Sequence, residues 1–465
     1  MKIQQFIKIS VCLIIFLIII VPKSFAENTS TEIKGIYTIE TFPESELLKL
    51  DGSWEFYWNQ LYAPEDFEKR SNIRKSYIEI PHGTNGYILS DGRIENTGHA
   101  TYRLTVHFPK EEIGSIKALY IPSLGSAYTL WVNGEVTARN GVVGESVKSM
   151  QPSNSSKLAF FHVSTEDVEI VIQNSNYNQR RAGIFDSILL GNPNVISNFQ
   201  SGKVIFRSIT AASLLIIALY HFALFAFRKK EYSLLFFAFL CLFIAIRSII
   251  FEESLVNFIF PFLSWDATSK IEYLGAILGT LSFSLFTYSL YPKDMNVFIR
   301  NLIILVTTLY SCFIIFTPVL TSTRYIVLMT VTIISIFAYL VYVHVLIFLR
   351  KRKGSYLIII GLITLFISTV NDTLFFNNII HSIELTSISL VVFLFIQSIN
   401  ISRNYSLSFK RSDQLAKDLA KLNDSLENKV QTRTAELKVL NNELLAVNEK
   451  LKTAHQSQSK LITNI

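Results

Sequence analysis

Between Val204 and Ile401 the sequence is apolar almost without a break, interrupted only by short polar turns. A bilayer core takes about 20 apolar residues per spanning helix. The block divides into seven such runs: Val204 to Phe227, Tyr232 to Phe251, Ile271 to Tyr291, Phe298 to Pro318, Tyr325 to Leu349, Ser355 to Phe376 and Ile380 to Ile401. An odd number of spans puts the two flanking parts of the chain on opposite sides of a membrane.

Orientation is read from the short loops, because Lys and Arg are retained on the cytoplasmic side. Arg228, Lys229, Lys230, Lys293, Arg300, Arg350 to Lys353, Arg403, Lys410 and Arg411 place twelve basic residues on one side. Lys203, Lys270 and Arg324 face the other. The amino-terminal part is therefore expected outside and the carboxy-terminal part inside. The start of the chain agrees: Lys2 and Lys8 precede the apolar run Ile9 to Val21, and Ser24-Phe25-Ala26 offers small residues at the positions a signal peptidase reads. Residues 1–26 are expected to be a signal peptide, in a multi-pass plasma membrane protein.

The net charge of +7 would by itself point to nucleic acid. Split by region it does not. Residues 27–200 hold 15 basic and 21 acidic residues, a net of −6, and the positive excess lies in the membrane block and the tail, facing an anionic inner leaflet. No nucleic-acid partner is expected. Cys12 falls in the signal, Cys241 and Cys312 in spans, so the outer domain must be stable through its core alone, which about 170 residues can manage.

Residues 27–200 read as all-β. Thr101 to Phe108 alternates, with Tyr102, Leu104, Val106 and Phe108 on one face. Further strands are expected over Trp54 to Trp58, Lys117 to Ile121, Ala127 to Val132, Lys157 to Val163, Val168 to Ile172 and Ile184 to Leu190. Turn dipeptides separate them: Asp51-Gly52, Asp91-Gly92, Asn133-Gly134 and Asn140-Gly141. Many short strands with such punctuation indicate a jelly-roll β-sandwich.

The segments Leu50-Asp-Gly-Ser-Trp-Glu-Phe-Tyr-Trp58, Ala100-Thr-Tyr-Arg-Leu104, Ser126-Ala-Tyr-Thr-Leu-Trp-Val-Asn-Gly-Glu135 and Phe185-Asp-Ser-Ile-Leu-Leu-Gly191 resemble jelly-roll modules of the galactose-binding type. Taken together with the seven spans, the chain resembles bacterial seven-transmembrane receptors with diverse intracellular signalling modules. The resemblance implies an extracytoplasmic domain that binds a small ligand, a carbohydrate or related molecule. Sugar sites combine an aromatic face with polar side chains that fix hydroxyls, and Trp58, Trp131, Asn133, Asn176, Arg180 and Arg181 are residues of those types. The plain alternative is that Trp54, Phe56 and Tyr102 are core and that Asn133-Gly134 is a hairpin turn. No acidic pair stands in a setting that would serve hydrolysis.

Ionisable residues inside spans are costly, about 2.5 to 3.5 kcal/mol each on insertion scales. Arg207, Arg247, Glu272, Asp372 and Glu384 all fall toward the outer ends of their spans. Arg247 could pair with Asp372 or Glu384 and couple ligand occupancy to helix packing, whereas Arg207 and Glu272 read as interfacial. His221 and His344 read as isolated interfacial histidines, and no spacing places two imidazoles on one ion; no metal or cofactor is expected. Gly275 and Gly279 form a GxxxG packing face.

After Gly361 the sequence holds neither Gly nor Pro, so nothing forces a break between the last span and the tail over residues 402–465. Leu415, Leu419, Leu422 and Leu426, then Leu437, Leu440, Leu444, Val447 and Leu451, keep three-and-four spacing, a coiled-coil seam with a stutter around Val430 and Arg433. A parallel homodimer is the expected assembly. Gln431-Thr-Arg-Thr-Ala-Glu-Leu437 and Gln458-Ser-Lys-Leu-Ile-Thr-Asn-Ile465 are similar to the linker that enters the dimerisation helix of sensor histidine kinases. In that family a Ser-His-Glu phosphoacceptor box comes next; the sequence stops before it, His455 does not match it, and no ATP-binding box occurs. The expected role is thus the sensor half of a two-component receptor, not itself an enzyme, passing its state to a kinase or response regulator. The alternatives are a scaffold acting by coiled-coil pairing and a transporter or solute gate.

Overall fold

A computed structural model describes residues 30–70, 73–84, 87–89, 92–95, 97–153, 155–180, 182–250, 255–352, 355–376 and 385–463. The expected signal peptide lies outside the described residues. The chain divides into two compact units, one ending at Gln397 and the other running from Ser398.

The first part is built of short strands: β1 (Ser30–Ile33), β2 (Ile36–Ile39), β3 (Leu48–Lys49), β4 (Gly52–Trp58), β5 (Ser76–Ile80), β6 (His82–Gly83), β7 (Ile88–Leu89) and β8 (Gly92–Arg93). Then come β9 (Gly98–His107), β10 (Ile116–Ile121), β11 (Ala127–Val132), β12 (Glu135–Asn140), β13 (Lys157–His162), β14 (Asp167–Asn176), β15 (Gly183–Ile184) and β16 (Leu189–Gly191). A six-residue helix, α1 (Pro64–Lys69), and a short 3-10 turn at Lys110–Glu112 interrupt them. The larger sheet runs β1-β2-β9-β14-β11-β12, with β4 joined to β9 and β5 to β4; the smaller runs β13-β10-β16-β3. All pairs are antiparallel except β2 with β9. The segment Ile184 to Leu190, expected as one strand, is split into β15 and β16, which join different sheets.

The alternation read from the sequence is what fills the space between the sheets. Tyr102, Leu104, Val106 and Phe108 are all buried, as are Trp54, Phe56, Tyr128, Leu130 and Ile172. Trp54 donates its indole N–H to Leu50 O at 3.0 Å, so its burial leaves no unmet donor. Phe56 and Tyr102 lie with ring centroids 5.0 Å apart, a tilted pair contributing about 0.5–1.5 kcal/mol beyond its buried area. Asn133 and Gly134 both take positive φ, 49° and 80°, the backbone a two-residue hairpin between β11 and β12 requires.

The helices are α2 (Pro193–Phe227), α3 (Tyr232–Ile250), α4 (Leu255–Ile259), α5 (Trp265–Leu290), α6 (Val297–Phe316), α7 (Val319–Arg324), α8 (Ile326–Leu349), α9 (Ser355–Phe376) and α10 (Thr386–Thr463). Among the described residues, α2, α3, α5, α6 and α8 are long and apolar enough to cross a membrane, and the protein is a multi-pass membrane protein. The two remaining expected spans fall on α9 and on the start of α10, with residues 377–384 outside the described ones. Gly275 and Gly279 let α5 approach α3 closely: a Cβ at Gly275 would stand 3.3 Å from Phe243 O.

Only Asn192 separates β16 from α2. The start of α2 is packed into the smaller sheet through Ile196, buried with Leu47, Ala118, Tyr120 and Leu189. Phe199 meets Tyr120 edge-on at 5.3 Å, and Lys203 Nζ donates to Tyr120 Oη at 3.1 Å. Beneath this joint Lys117, 3% exposed, pairs with Glu112 at 2.5 Å, donates to Asn192 Oδ1 at 2.8 Å and lies over the Phe42 ring.

In the second unit every residue from Leu407 to Ser457 is exposed. The seam leucines stand out into solvent, Leu415 at 62%, Leu419 at 70% and Leu440 at 58%.

Candidate functional site

Strand register decides which of the expected site residues meet. On the core side of the larger sheet, Trp58 pairs with Ala100, Ala100 with Asn174, and Asn174 with Tyr128. The next row toward the sheet end pairs Gly98 with Asn176. The Trp58 indole lies over Gly98, where an added Cβ would stand 2.6 Å from its Cη2. Glycine is required there because the ring occupies the side-chain position. Trp58 and Asn176 are thus brought to one end of the sandwich.

Three loops close around that end. Thr84 N donates to Ala182 O at 2.9 Å, and Gly125 bridges Gly183. Ser126 Oγ donates to Asn176 Oδ1 at 2.7 Å, while Asn176 Nδ2 donates to Gln179 O at 2.6 Å. Asn174 Nδ2 donates to Gly125 O and Ala127 O. One and two rows deeper, the hydroxyls of Tyr128 and Tyr102 are buried with no partner among the described residues. Burial pushes both phenols far up, with the nearby Tyr120 adding to the shift at Tyr128, so they remain protonated donors.

Directly after the Asn176 turn, Arg180 N donates to Thr323 Oγ1 of α7 at 3.2 Å. The loop end is therefore the end that meets the helices. Arg181 lies outside the described residues.

The other expected residues go elsewhere. Trp131 pairs with Val171, which pairs with Arg103, so it lies on the outer face of the sheet, across from Trp58. Asn133 accepts from Glu169 N through Oδ1 at 2.8 Å and carries the positive φ of its hairpin, so it is turn structure, the plain reading. Neither joins Trp58 and Asn176: Trp131 because alternate residues of a strand face opposite ways, Asn133 because its turn sits beside Glu169, at the other end of β14 from Asn176.

The outer face also holds a charge network that composition did not reveal. Arg103 pairs with Glu169 at 2.6 Å and Glu55 at 3.2 Å, Lys75 pairs with Glu55 at 2.5 Å, and Phe67 of α1 covers the guanidinium. Burial alone would raise the Glu55 carboxyl, but hydrogen bonds from Lys75 and Tyr57 and the charges of Arg103 and Lys75 hold it below the usual range. A carboxylate held ionised is the opposite of what a general acid needs. Tyr57 is pushed well up by burial and by its bond to Glu55.

Within the helices, Arg247 is on α3 beside Gly275 of α5; its expected partners, Asp372 and Glu384, have side chains outside the described residues. Arg207, His221 and His344, expected at the interface, are instead buried, at 8%, 0% and 3% exposure. Each histidine shares its Nδ1 proton with the carbonyl four residues earlier, Ile217 and Leu340, which lets an imidazole lie against Phe237 or Phe283. At the far end of the bundle Asp294, its side chain 2% exposed, is clamped by Arg350 and by Arg352 at 3.2 Å.

Residues 203–403 match the family model for 7TM diverse intracellular signalling. No curated protein matches the chain. Among solved structures, a Faecalibacterium prausnitzii beta-glucuronidase is similar at 15% identity, over 32% of this chain and 32% of that one, with a TM-score of 0.25. A beta-galacturonidase from Eisenbergiella tayi bound to galacturonate is similar at 12% identity, over 33% and 26%, with a TM-score of 0.23. A Ruminococcus gnavus beta-glucuronidase in complex with uronic isofagomine is similar at 15% identity, over 35% and 31%, with a TM-score of 0.25. The chain spans between a quarter and a third of the length of these enzymes. TM-scores this low carry nothing for the fold or ligand of this chain.

Proposed function

We propose that this chain, whose residues 203–403 are a 7TM diverse intracellular signalling domain, is a transmembrane sensor of a small extracytoplasmic carbohydrate or related ligand. The ligand is taken at the loop end of the sandwich. Trp58 supplies an aromatic face, Asn176 shapes the turn beside it, and the Tyr102 and Tyr128 hydroxyls lie beneath as two donors without partners among the described residues, a combination suited to a neutral hydroxylated molecule. The observation that carries the reading is that Asn176 fixes the turn from which Arg180 bonds Thr323. Anything that reshapes this turn alters a contact with the helices.

A ligand can shift an equilibrium between helix packings only by its differential affinity for them, and about 1–3 kcal/mol suffices. The exposed leucine seam of α10 supports a parallel homodimer as the output, read by a histidine kinase module with the sandwich outside and the tail in the cytoplasm. The same seam favours, as the second reading, a scaffold that pairs with another coiled coil and engages no kinase.

The test is saturable binding of neutral glycans by the full chain in nanodiscs, with Asn176→Ala weakening it about tenfold or more, the equivalent of ~1.4 kcal/mol. Silence across a broad glycan array removes the ligand class.

A further inference from the structure

Inside the helical bundle six rings touch in series. The series begins on α2, where His221 meets Phe237 of α3 with ring centroids 4.7 Å apart. Phe237 meets Phe286 of α5 at 5.2 Å, and Phe286 stacks at 6.5 Å on Phe283, one turn back on the same helix. There the series forks. Phe283 lies nearly parallel to His344 of α8, at 5.8 Å and 8°, and takes Phe393 of α10 edge-on at 5.8 Å and 84°. All six residues are buried, none above 7% exposed, and every spacing falls within the roughly 4.5–7 Å of an attractive aromatic pair.

The two ends give the series a use. Only Asn192 separates α2 from the sandwich, and His221 sits near the far end of that helix, about 42 Å from Pro193 at 1.5 Å per residue. A lean of α2 is there close to its widest. The other end, α10, is the helix that continues into the tail. The rings therefore join the helix rooted in the sandwich to the helix that leaves the bundle.

Two features go beyond ordinary packing. A histidine inside a span costs free energy that a leucine would not, yet both histidines are tied: each gives its Nδ1 proton to the carbonyl four residues earlier, so the ring turns with its own helix. The second is a hollow on α9. Gly361 faces Phe393, and a Cβ there would stand 2.7 Å from the ring's Cδ2. Phe393 is thus held between α5 and α9 with no room to slip past, and an interior packed this closely passes a displacement on.

We propose that this ring series is the path by which α2 displaces α10, with Phe393 the residue that receives the displacement. Spatial continuity by itself does not establish coupling, so the series has to be cut and the far end watched. No ligand is needed for this, and the failure of the glycan reading would leave the path untouched.

The experiment is amide exchange over residues 391–397 of the full chain in nanodiscs. His221→Leu keeps an apolar side chain of comparable size and removes both ring and tether; exchange over 391–397 should speed up about fivefold, the factor carried by one lost hydrogen bond. Leu214→Ala lies on the same face of α2 two turns earlier, is buried as deeply as His221 and stands outside the series; it should leave that exchange unchanged. Phe283→Leu cuts the series in the middle, so adding His221→Leu to it should change nothing further. Unaltered exchange in His221→Leu, an equal rise in Leu214→Ala, or a His221→Leu effect that persists in full in the Phe283→Leu background overturns the path. Should Phe283→Leu not fold, Phe286→Leu cuts the series one ring earlier and decides in its place.

Discussion

The backbone N–H of Arg180 donates to Thr323 Oγ1 at 3.2 Å, joining residues 143 positions apart in sequence, one in the sandwich and one between two membrane helices. The Thr323 hydroxyl in turn donates to Leu320 O within α7.

Thr323→Val removes the acceptor and keeps the shape. A hydrogen bond of this kind contributes about 1 kcal/mol, so amide exchange at Arg180 should speed up about fivefold, with exchange at Trp54 unchanged. An unaltered Arg180 rate would show that the contact is not held in the working protein.

Gly98→Ala places a methyl group 2.6 Å from the Trp58 ring. Overpacking costs about 1–3 kcal/mol, and the near-ultraviolet circular dichroism of Trp58 should change with it. Adding Trp58→Leu should recover part of the lost stability; no recovery would locate the strain elsewhere.

Glu55 ionises more readily in the folded chain than unfolded, because Lys75, Tyr57 and Arg103 outweigh its burial. A depressed folded pKa gives stability that is complete above the unfolded value, about 4.3, and is lost as pH falls through the folded value. Between about pH 5 and about pH 3 the Tm of the wild type should therefore fall more steeply than that of Glu55→Gln. Parallel curves would contradict the pairing.

Lys117→Met strands the Glu112 carboxylate beside the start of α2. Removing one partner of a buried pair costs about 3–5 kcal/mol, whereas replacing both costs far less, so Lys117→Met with Glu112→Leu should be more stable than Lys117→Met alone. Urea unfolding measures both.

Single cysteines at Leu419 and at Leu440 should crosslink between copies in native membranes, since both lie on the exposed seam. A tail that stays monomeric under oxidant would refute the homodimer.

The strands and membrane helices were legible because burial enforces periodicity: Tyr102 to Phe108 alternates inward, and the spans are marked by length alone. The hairpin at Asn133 was legible as chemistry, and its φ of 49° explains why a residue fit to bind sugar serves a turn instead. What the sequence hid are choices of partner. Nothing local says that Trp58 and Trp131 face opposite ways, since that depends on the register of β4 against β9 and β11 against β14. Lys117 reads as a surface lysine until β10 is flanked by β13 and β16. The burial of His221 and His344 depends on aromatic residues from other helices, which their own flanks do not reveal.

The single residue between β16 and α2 leaves no slack for a swivel. A helix of 35 residues is about 52 Å long, so a lean of about 5° at the sandwich, if α2 stays straight, swings its opposite tip by roughly 4–5 Å. That stroke exceeds the ~1–2 Å helix displacements that suffice in many switches, so the sandwich is mounted as the short arm of a crank.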